Sequence, residues 1–310
     1  MERLTSDRPV PPHLRGGVVA LGNFDGFHRG HQAVVGRAVD LARASGRPAI
    51  VATFDPHPVR YFRPAAAPFL LTDMEQRARL FAAAGADAML TFRFDAALAG
   101  VSPEAFVTDH LIGKAGAAHV VTGLDFTFGA RRAGDVAALQ ALGEARGLVA
   151  EAVSPVEDEG TPISSSRIRM ALAEGDMDTA AALLTRPFAI RGGVRHGDKL
   201  GRTIGYPTAN IEMGEYQRAR YGIYAVRARL ADGRVFDGAA NLGIRPTFDP
   251  PKELLEAFLF DFTGDLYGEP LEVELIRFLR PEAKFDTLDA LVAQMDKDCA
   301  EARRVLAETL

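Results

Sequence analysis

The stretch Val18-Val19-Ala20-Leu21-Gly22-Asn23-Phe24-Asp25-Gly26-Phe27-His28-Arg29-Gly30-His31 decides how the chain is read. Its first four residues form an unbroken apolar run, the mark of an interior strand. From His31 onward apolar side chains recur at helical spacing, through Val34, Val35, Ala38, Leu41 and Ala42. A buried strand therefore ends, and a helix begins, around a turn punctuated by Gly22, Gly26 and Gly30. A helix N-terminus presents unpaired N–H groups and the positive end of the helix dipole, so it attracts anions without help from side chains. His28 and His31 add proton-donating groups at the same place, while Gly30 removes a Cβ and lets the backbone come close. Gly22, Asn23, Phe24 and Gly30 are the candidate phosphate-binding residues, and the arrangement suits attack on a nucleoside triphosphate. A metal site is the weaker reading, because no Cys partner and no tight Asp/His cluster lies nearby.

Strand and helix alternate outward from this join. Strand patterns recur at Ala49–Phe54, Ala88–Phe92, Ala118–Thr122 and Leu148–Val153, with helical patterns around Thr72–Ala84, Pro103–Leu111 and Asp135–Ala145. The alternation predicts an α/β domain of Rossmann-like type, a doubly wound parallel sheet covered on both faces. Residues 1–15, rich in proline and charge, read as a ragged lead-in without function. Ligands bind at the C-terminal ends of parallel strands. His57, in the Asp55-Pro56-His57-Pro58 turn, and Asp125, Phe126 and Phe128, in Gly123-Leu124-Asp125-Phe126-Thr127-Phe128-Gly129, stand at such ends. A rigid turn and a hydrophobic loop are the bland readings of the two segments. Ser164, Ser165, Ser166 and Arg167 precede another helical pattern. One serine suffices to cap a helix. The surplus hydroxyls, and an arginine where the dipole disfavours it, point to a second anion site.

The pattern changes at Thr185-Arg186-Pro187, which sets the expected boundary: residues 1–186, then residues 187–310. Short strands follow at Phe188–Val194, Ile223–Leu230, Val235–Ala240, Leu255–Phe262 and Leu271–Phe278, predicting an antiparallel β-barrel. A last helical stripe, Leu288 to Val305, should pack on that barrel and leave Cys299 inert. Gly197, Gly201 and Gly205 recur every four residues in a loop that also carries Lys199, and such a loop can wrap phosphates with backbone N–H groups. Thr208 and Asn210 offer neutral oxygen ligands suited to Mg²⁺ held mainly by nucleotide phosphates. Glu256 alternates with Phe258, Phe260 and Phe262, which places an acid beside an aromatic wall.

Composition limits the alternatives. At 310 residues, two domains are the prior expectation. A net charge of −5 argues against an extended nucleic-acid surface. The single cysteine excludes an intrachain disulfide, and no apolar run approaches membrane-spanning length. Cytoplasm is the default location, small molecules are the expected partners, and a weak homo-oligomer stays open.

The ten-residue form Gly-Asn-Phe-Asp-Gly-x-His-x-Gly-His, Gly22 to His31, resembles the His-x-Gly-His signature of the nucleotidyltransferase superfamily. In that longer form it is similar to the FMN adenylyltransferase half of bacterial bifunctional riboflavin kinase/FAD synthetases. Pro207-Thr208-Ala209-Asn210 and Asn241-Leu242-Gly243-Ile244-Arg245-Pro246-Thr247-Phe248 resemble riboflavin kinase motifs, so the resemblance covers essentially the whole chain. It implies an N-terminal nucleotidyltransferase domain, a C-terminal riboflavin kinase domain, ATP as co-substrate, and riboflavin, FMN and FAD as substrates or products. It also implies that Asp125 lies near the flavin phosphate and that His57, Phe126, Phe128 and Arg245 belong to flavin sites. Ile-Ser-Ser-x-x-Arg, here Ile163 to Arg167 and beyond, would close over the triphosphate, and Glu256 would be the kinase base. The family usually has His two residues after that glutamate, where this chain has Phe258. Two rival readings are a single-activity enzyme with one domain kept as a flavin-binding regulator, and a flavin-storage or flavin-sensing protein.

Overall fold

In the computed structural model, which describes residues 1–196, 204–245 and 252–309, the chain forms two units. The first comprises residues 1–67 and 74–164, the second residues 68–73 and 165–310.

In the first unit β7 (Glu157–Asp158) and β8 (Thr161–Pro162) form a short antiparallel pair, and the main strands are β1 (Glu2–Thr5), β2 (Gly17–Leu21), β3 (Ala49–Asp55), β4 (Ala88–Arg93), β5 (Ala117–Gly123) and β6 (Val149–Val153). They make one parallel sheet in the order β1-β4-β3-β2-β5-β6. Between them run α1 (Arg29–Ser45), α2 (Pro58–Phe62), α3 (Met74–Ala83), α4 (Ala96–Ala99), α5 (Pro103–Ala105, continuing as a π-helix over Phe106–Lys114) and α6 (Val136–Glu144). Side chains alternate across the sheet, which divides the core in two. Val18 and Ala20 join Val34, Val35 and Ala38 of α1 on one face, while Val19 and Leu21 join Leu111 and Leu139 on the other. Covered on both faces, β2 has to be apolar throughout, which is why it reads as a continuous run. Successive strands step from β2 to β3 to β4 in one direction, and β5 then returns to the opposite side of β2. The direction of winding reverses there, so the C-terminal ends of β2 and β5 border the crevice where such sheets bind ligands.

The lead-in assigned to residues 1–15 is corrected: Glu2–Thr5 is a paired edge strand, with Glu2 to Thr5 in register with Ala88 to Thr91. Its charges face solvent, as suits a sheet edge, and they hid the strand from an apolar-run search.

Two histidines away from the turn tie this unit to pH. His110 stacks on Phe106 at 5.7 Å with its Nδ1 buried and lacking a hydrogen-bond partner among the described residues. Burial first, then Lys114, holds its pKa below the ordinary imidazole value, against Asp109. Burial likewise lowers that of His119, opposed by Glu151. The unfolded chain therefore takes up protons where the folded chain does not, so stability is present above the ordinary histidine pKa and falls as pH drops through it. Tm is expected to fall between about pH 7 and about pH 5.5, with a shallower slope in His110→Phe; an unchanged slope would remove His110 from this account.

In the second unit α7 (Ser165–Glu174) and α8 (Met177–Leu184) precede β9 (Phe188–Gly193), β10 (Ala209–Glu212), β11 (Gly222–Leu230), β12 (Val235–Arg245), β13 (Lys252–Leu259) and β14 (Pro270–Arg280). These strands form an antiparallel sheet in the order β10-β13-β12-β11-β14-β9. The Arg195 N–H donates to the Asn210 carbonyl at 2.8 Å and joins the two ends into a barrel. Ile190, Ile211, Tyr224, Leu242, Leu255 and Val273 are fully buried in its core. The last helix, α9 (Leu288–Glu308), seats Ala302, Val305 and Leu306 against Ala225, Ala239 and Phe260. Cys299 is half-buried beside that cluster, and burial pushes its thiol up to about 11, which keeps it protonated and unreactive.

Candidate active site

The turn between β2 and α1 puts both histidines at the first helical turn. His28 is the N-cap of α1: its Nδ1 accepts from the His31 N–H, a long bond of 3.4 Å. With Nδ1 used as an acceptor, a neutral His28 carries its proton on Nε2, which becomes the donor. The imidazoles of His28 and His31 stack at 3.6 Å between centroids, 20° from parallel, so they present adjacent edges to one ligand. A Cβ on Gly30 would sit 3.2 Å from the His28 ring, and one on Gly22 would sit 3.0 Å from the Phe24 ring; glycine at both positions lets the turn close on itself. His28 is buried and His31 half-buried, while Asn23 is exposed at the tip.

Beneath the turn lies a pair that sequence reasoning missed. Asp25 accepts from Arg77 of α3 at 3.2 Å, and both side chains are only 2% exposed. Phe81, one helical turn along α3, meets Phe24 and Phe27 edge-on. The available signal was an arginine at helical spacing from Phe81 on the stripe that α3 buries.

The remaining candidates of this unit occupy strand exits. His57 caps α2, its Nδ1 accepting from Val59 N–H at 3.2 Å, so at minimum it has the structural role of its rigid turn. Asp125 is exposed in the turn after β5. Phe126 is half-buried and stacked on Phe128 at 5.9 Å, whereas Phe128 is a core residue packed against Phe106. The serine segment straddles the division of the chain: Ser164 ends the first unit, while Ser165, Ser166 and Arg167 form the first turn of α7 in the second.

On the barrel, register brings the kinase candidates together. Asn210 lies opposite Glu256 between β10 and β13, and Glu256 lies opposite Asn241 between β13 and β12. Opposed residues project from the same face, so the three polar groups form one row across three strands. Leu255 and Ala257 point into the barrel, which puts Glu256 on its outer face. Asn210 is buried, and its Nδ2 donates to the Thr208 carbonyl at 3.3 Å, leaving Oδ1 as its acceptor atom. Asn241 Nδ2 donates to Glu282 at 3.2 Å, and a Cβ on Gly243 would collide with that carboxylate. Glu282 is thus seated in the notch that Gly243 leaves, a second acid near Glu256 that strand alternation did not reveal.

Of the aromatic wall expected beside Glu256, Phe258 and Phe260 remain in contact, and Phe262 is the member corrected. β13 ends at Leu259 and Asp261 takes a left-handed φ of 58°, so Phe260 turns under Arg303 and Phe262 meets Phe236. Phe258 follows Glu256 on the outer face, edge-on to Tyr206 at 5.1 Å and to Phe260 at 5.8 Å. Gly205 is exposed with φ +88°, and Arg245 closes β12; Gly197, Lys199 and Gly201 lie outside the described residues. No group of three His, Cys, Asp or Glu side chains that could hold a metal occurs among the described residues. Thr208 and Asn210 instead supply neutral, hard oxygen donors of the kind that fit a cation bound chiefly through phosphates.

A parallel-sheet domain with paired histidines at a helix N-terminus, followed by an antiparallel barrel carrying an acid between two asparagines, defines a two-domain nucleotide-dependent transferase. The family model described as FAD synthetase matches residues 10–167, and that described as riboflavin kinase matches residues 184–306. The chain belongs to the bifunctional riboflavin kinase/FMN adenylyltransferase family. It is 40% identical over 297 residues to the member from Pseudomonas fluorescens, covering 96% of this chain and 95% of that one. To the Escherichia coli K12 member it is 38% identical over 294 residues, covering 95% and 94%. A crystal structure named as a macrolide-efflux protein from Streptococcus pneumoniae superposes with a TM-score of 0.83 at 32% identity, covering 96% of this chain and 97% of that one. The efflux in that name is said of that protein; among the described residues here no helix is long and apolar enough to cross a membrane.

Proposed function

We propose that this chain makes FAD in two steps: the barrel phosphorylates riboflavin to FMN with ATP, and the parallel-sheet domain transfers an adenylyl group from a second ATP to FMN, releasing pyrophosphate. The observation that carries the reading is that each of the two family matches falls on a region with its own constellation of polar groups, the stacked histidines in one and the Asn210-Glu256-Asn241 row in the other.

In the barrel, Glu256 takes the proton of the ribityl hydroxyl as its oxygen attacks the γ-phosphorus of ATP and ADP leaves. Thr208 and Asn210 are the residues to hold Mg²⁺, which supplies charge neutralisation at the phosphates when bound. In the other domain an FMN phosphate oxygen attacks the α-phosphorus, and the bond to the bridging oxygen breaks with its electron pair going to pyrophosphate. His28 and His31 donate hydrogen bonds to the charge that develops there, alongside the N–H groups of α1 and the Gly22–Phe24 backbone. Phe126, His57 and Asp125 are assigned to FMN, with Phe128 supporting Phe126 from the core, and Arg245 to riboflavin. Gly197, Lys199, Gly201 and Gly205 are assigned to ATP in the kinase step, and Ser164, Ser165, Ser166 and Arg167 to the triphosphate in adenylyl transfer. Dependence on ATP favours the cytoplasm as the compartment.

The activities are expected to separate near residue 186, with kinase chemistry confined to residues 187–310. Stability is another matter. The Arg220 N–H donates to the Leu172 carbonyl of α7 at 2.9 Å, and Leu183 and Leu184 of α8 are buried. A fragment of residues 165–310 should therefore convert riboflavin to FMN and unfold at a higher temperature than residues 187–310. A folded 165–310 fragment that yields no FMN would contradict the division of labour.

A further inference from the structure

The turn that carries the histidines holds a backbone shape that side chains oppose. Phe24 and Phe27 have φ of 50° and 43°, in the left-handed region that bulky residues rarely adopt. Something must hold them there. Both rings are buried and both meet one partner edge-on, Phe81 of α3, at 5.8 Å and 5.2 Å. Arg77, one helical turn earlier on α3, reaches the same turn with two nitrogens. One donates to Asp25 at 3.2 Å, and the other lies 3.4 Å from the Asn23 carbonyl, which also accepts from the Thr53 hydroxyl at 2.9 Å.

These contacts bear on the ligand side of the turn. In a trans peptide the carbonyl and the next N–H point in opposite directions. Drawing the Asn23 carbonyl toward Thr53 and Arg77 therefore turns the Phe24 N–H away from them. The Phe24 ring in turn meets His31 edge-on at 5.4 Å, so the brace continues to a histidine. A fully buried ion pair seldom adds stability over apolar packing of the same volume. Its position under the one turn that carries both histidines gives it a different use.

We propose that Arg77, acting with Phe81, is a positioning residue for adenylyl transfer: α3 locks the Gly22–Phe27 turn so that its amides and the two imidazoles are aligned before ATP arrives. The proposal rests on the reading that FMN is adenylylated at His28 and His31. A displacement of about 1 Å in such a site costs on the order of a hundredfold in rate.

The test is single-turnover conversion of FMN to FAD by the full chain at saturating ATP and FMN, where amplitude counts folded sites and the rate constant reports their geometry. Arg77→Lys keeps the charge beside Asp25 but replaces the two-nitrogen fork with a single nitrogen, and its rate constant should fall about tenfold at near-normal amplitude. Arg77→Gln should fall about a hundredfold. Formation of FMN by the barrel should stay at the wild-type level in both. Rate constants within twofold of wild type, or reduced amplitude at an unchanged rate constant, would overturn the proposal; if Arg77→Gln does not fold, Arg77→Lys decides alone. A wild-type chain that forms no FAD from FMN would instead defeat the underlying reading and this proposal with it.

Discussion

Alanine at His28 or at His31 is expected to lower FAD formation from FMN by about a hundredfold or more, the loss typical of removing one preorganised transition-state donor, while leaving FMN formation from riboflavin near normal. The two rings stack at 3.6 Å and share one helix N-terminus, so removing either also frees its neighbour to shift. His28 has a second duty as N-cap, whose loss costs about 1 kcal/mol of helix stability. His28→Asn separates the two duties, because asparagine caps well and is a poorer match for the imidazole donor. It should restore the Tm lost in His28→Ala without restoring the rate. The measurement is kcat for each activity in the same preparation. Equal loss of both activities would indicate a folding defect, and undiminished FAD formation would return the histidines to a structural role.

Glu256→Gln should lower riboflavin phosphorylation by about 10²–10⁴, the range for loss of a general base. Glutamine keeps the shape and hydrogen bonding of the row between Asn210 and Asn241 but cannot take a proton, so riboflavin affinity should change far less than kcat. FAD formation from added FMN should survive, since that chemistry belongs to the other domain. Kinase turnover within a few-fold of wild type would defeat the assignment. Glu282 would then be the next residue to replace, because its carboxylate is seated against Gly243 and bonded to Asn241, whereas Asp261 is committed to Arg303 at 3.0 Å.

The first unit was legible wherever burial on both faces wrote itself into the chain. β2, β3, β4 and β5 lie within a residue or two of their apolar runs, and α1 begins where the histidines predict. β1 was not legible: a four-residue edge strand with charged side chains carries no apolar run. Nor was β10, a four-residue strand following a proline-containing turn. At β13 the alternation of Phe258, Phe260 and Phe262 overran the strand, since a left-handed Asp261 leaves no mark in an aromatic pattern. The association of residues 68–73 with the second unit was equally hidden. It depends on main-chain bonds between Leu70 and residues 215 and 217, formed by segments far apart in sequence. Glu256 could be found by its place in a strand, but Asn241 and Glu282 acquire their significance only through cross-strand register or packing, which no local signal announces. Arg77 left one local mark, its helical spacing from Phe81, while its partner Asp25 lies far away in sequence.

The most direct test of two chemistries in one chain follows the phosphorus atoms. Purified full-length protein is given riboflavin, Mg²⁺ and ATP labelled at either the α- or the γ-phosphorus, and the flavins are separated. The γ-label should appear in FMN and persist in FAD, whereas the α-label should appear in FAD alone and rise after FMN has formed. A γ-label in FMN with no α-label in FAD would leave a kinase with a regulatory partner domain, and riboflavin recovered bound but unlabelled would leave a flavin binder; either result contradicts the account.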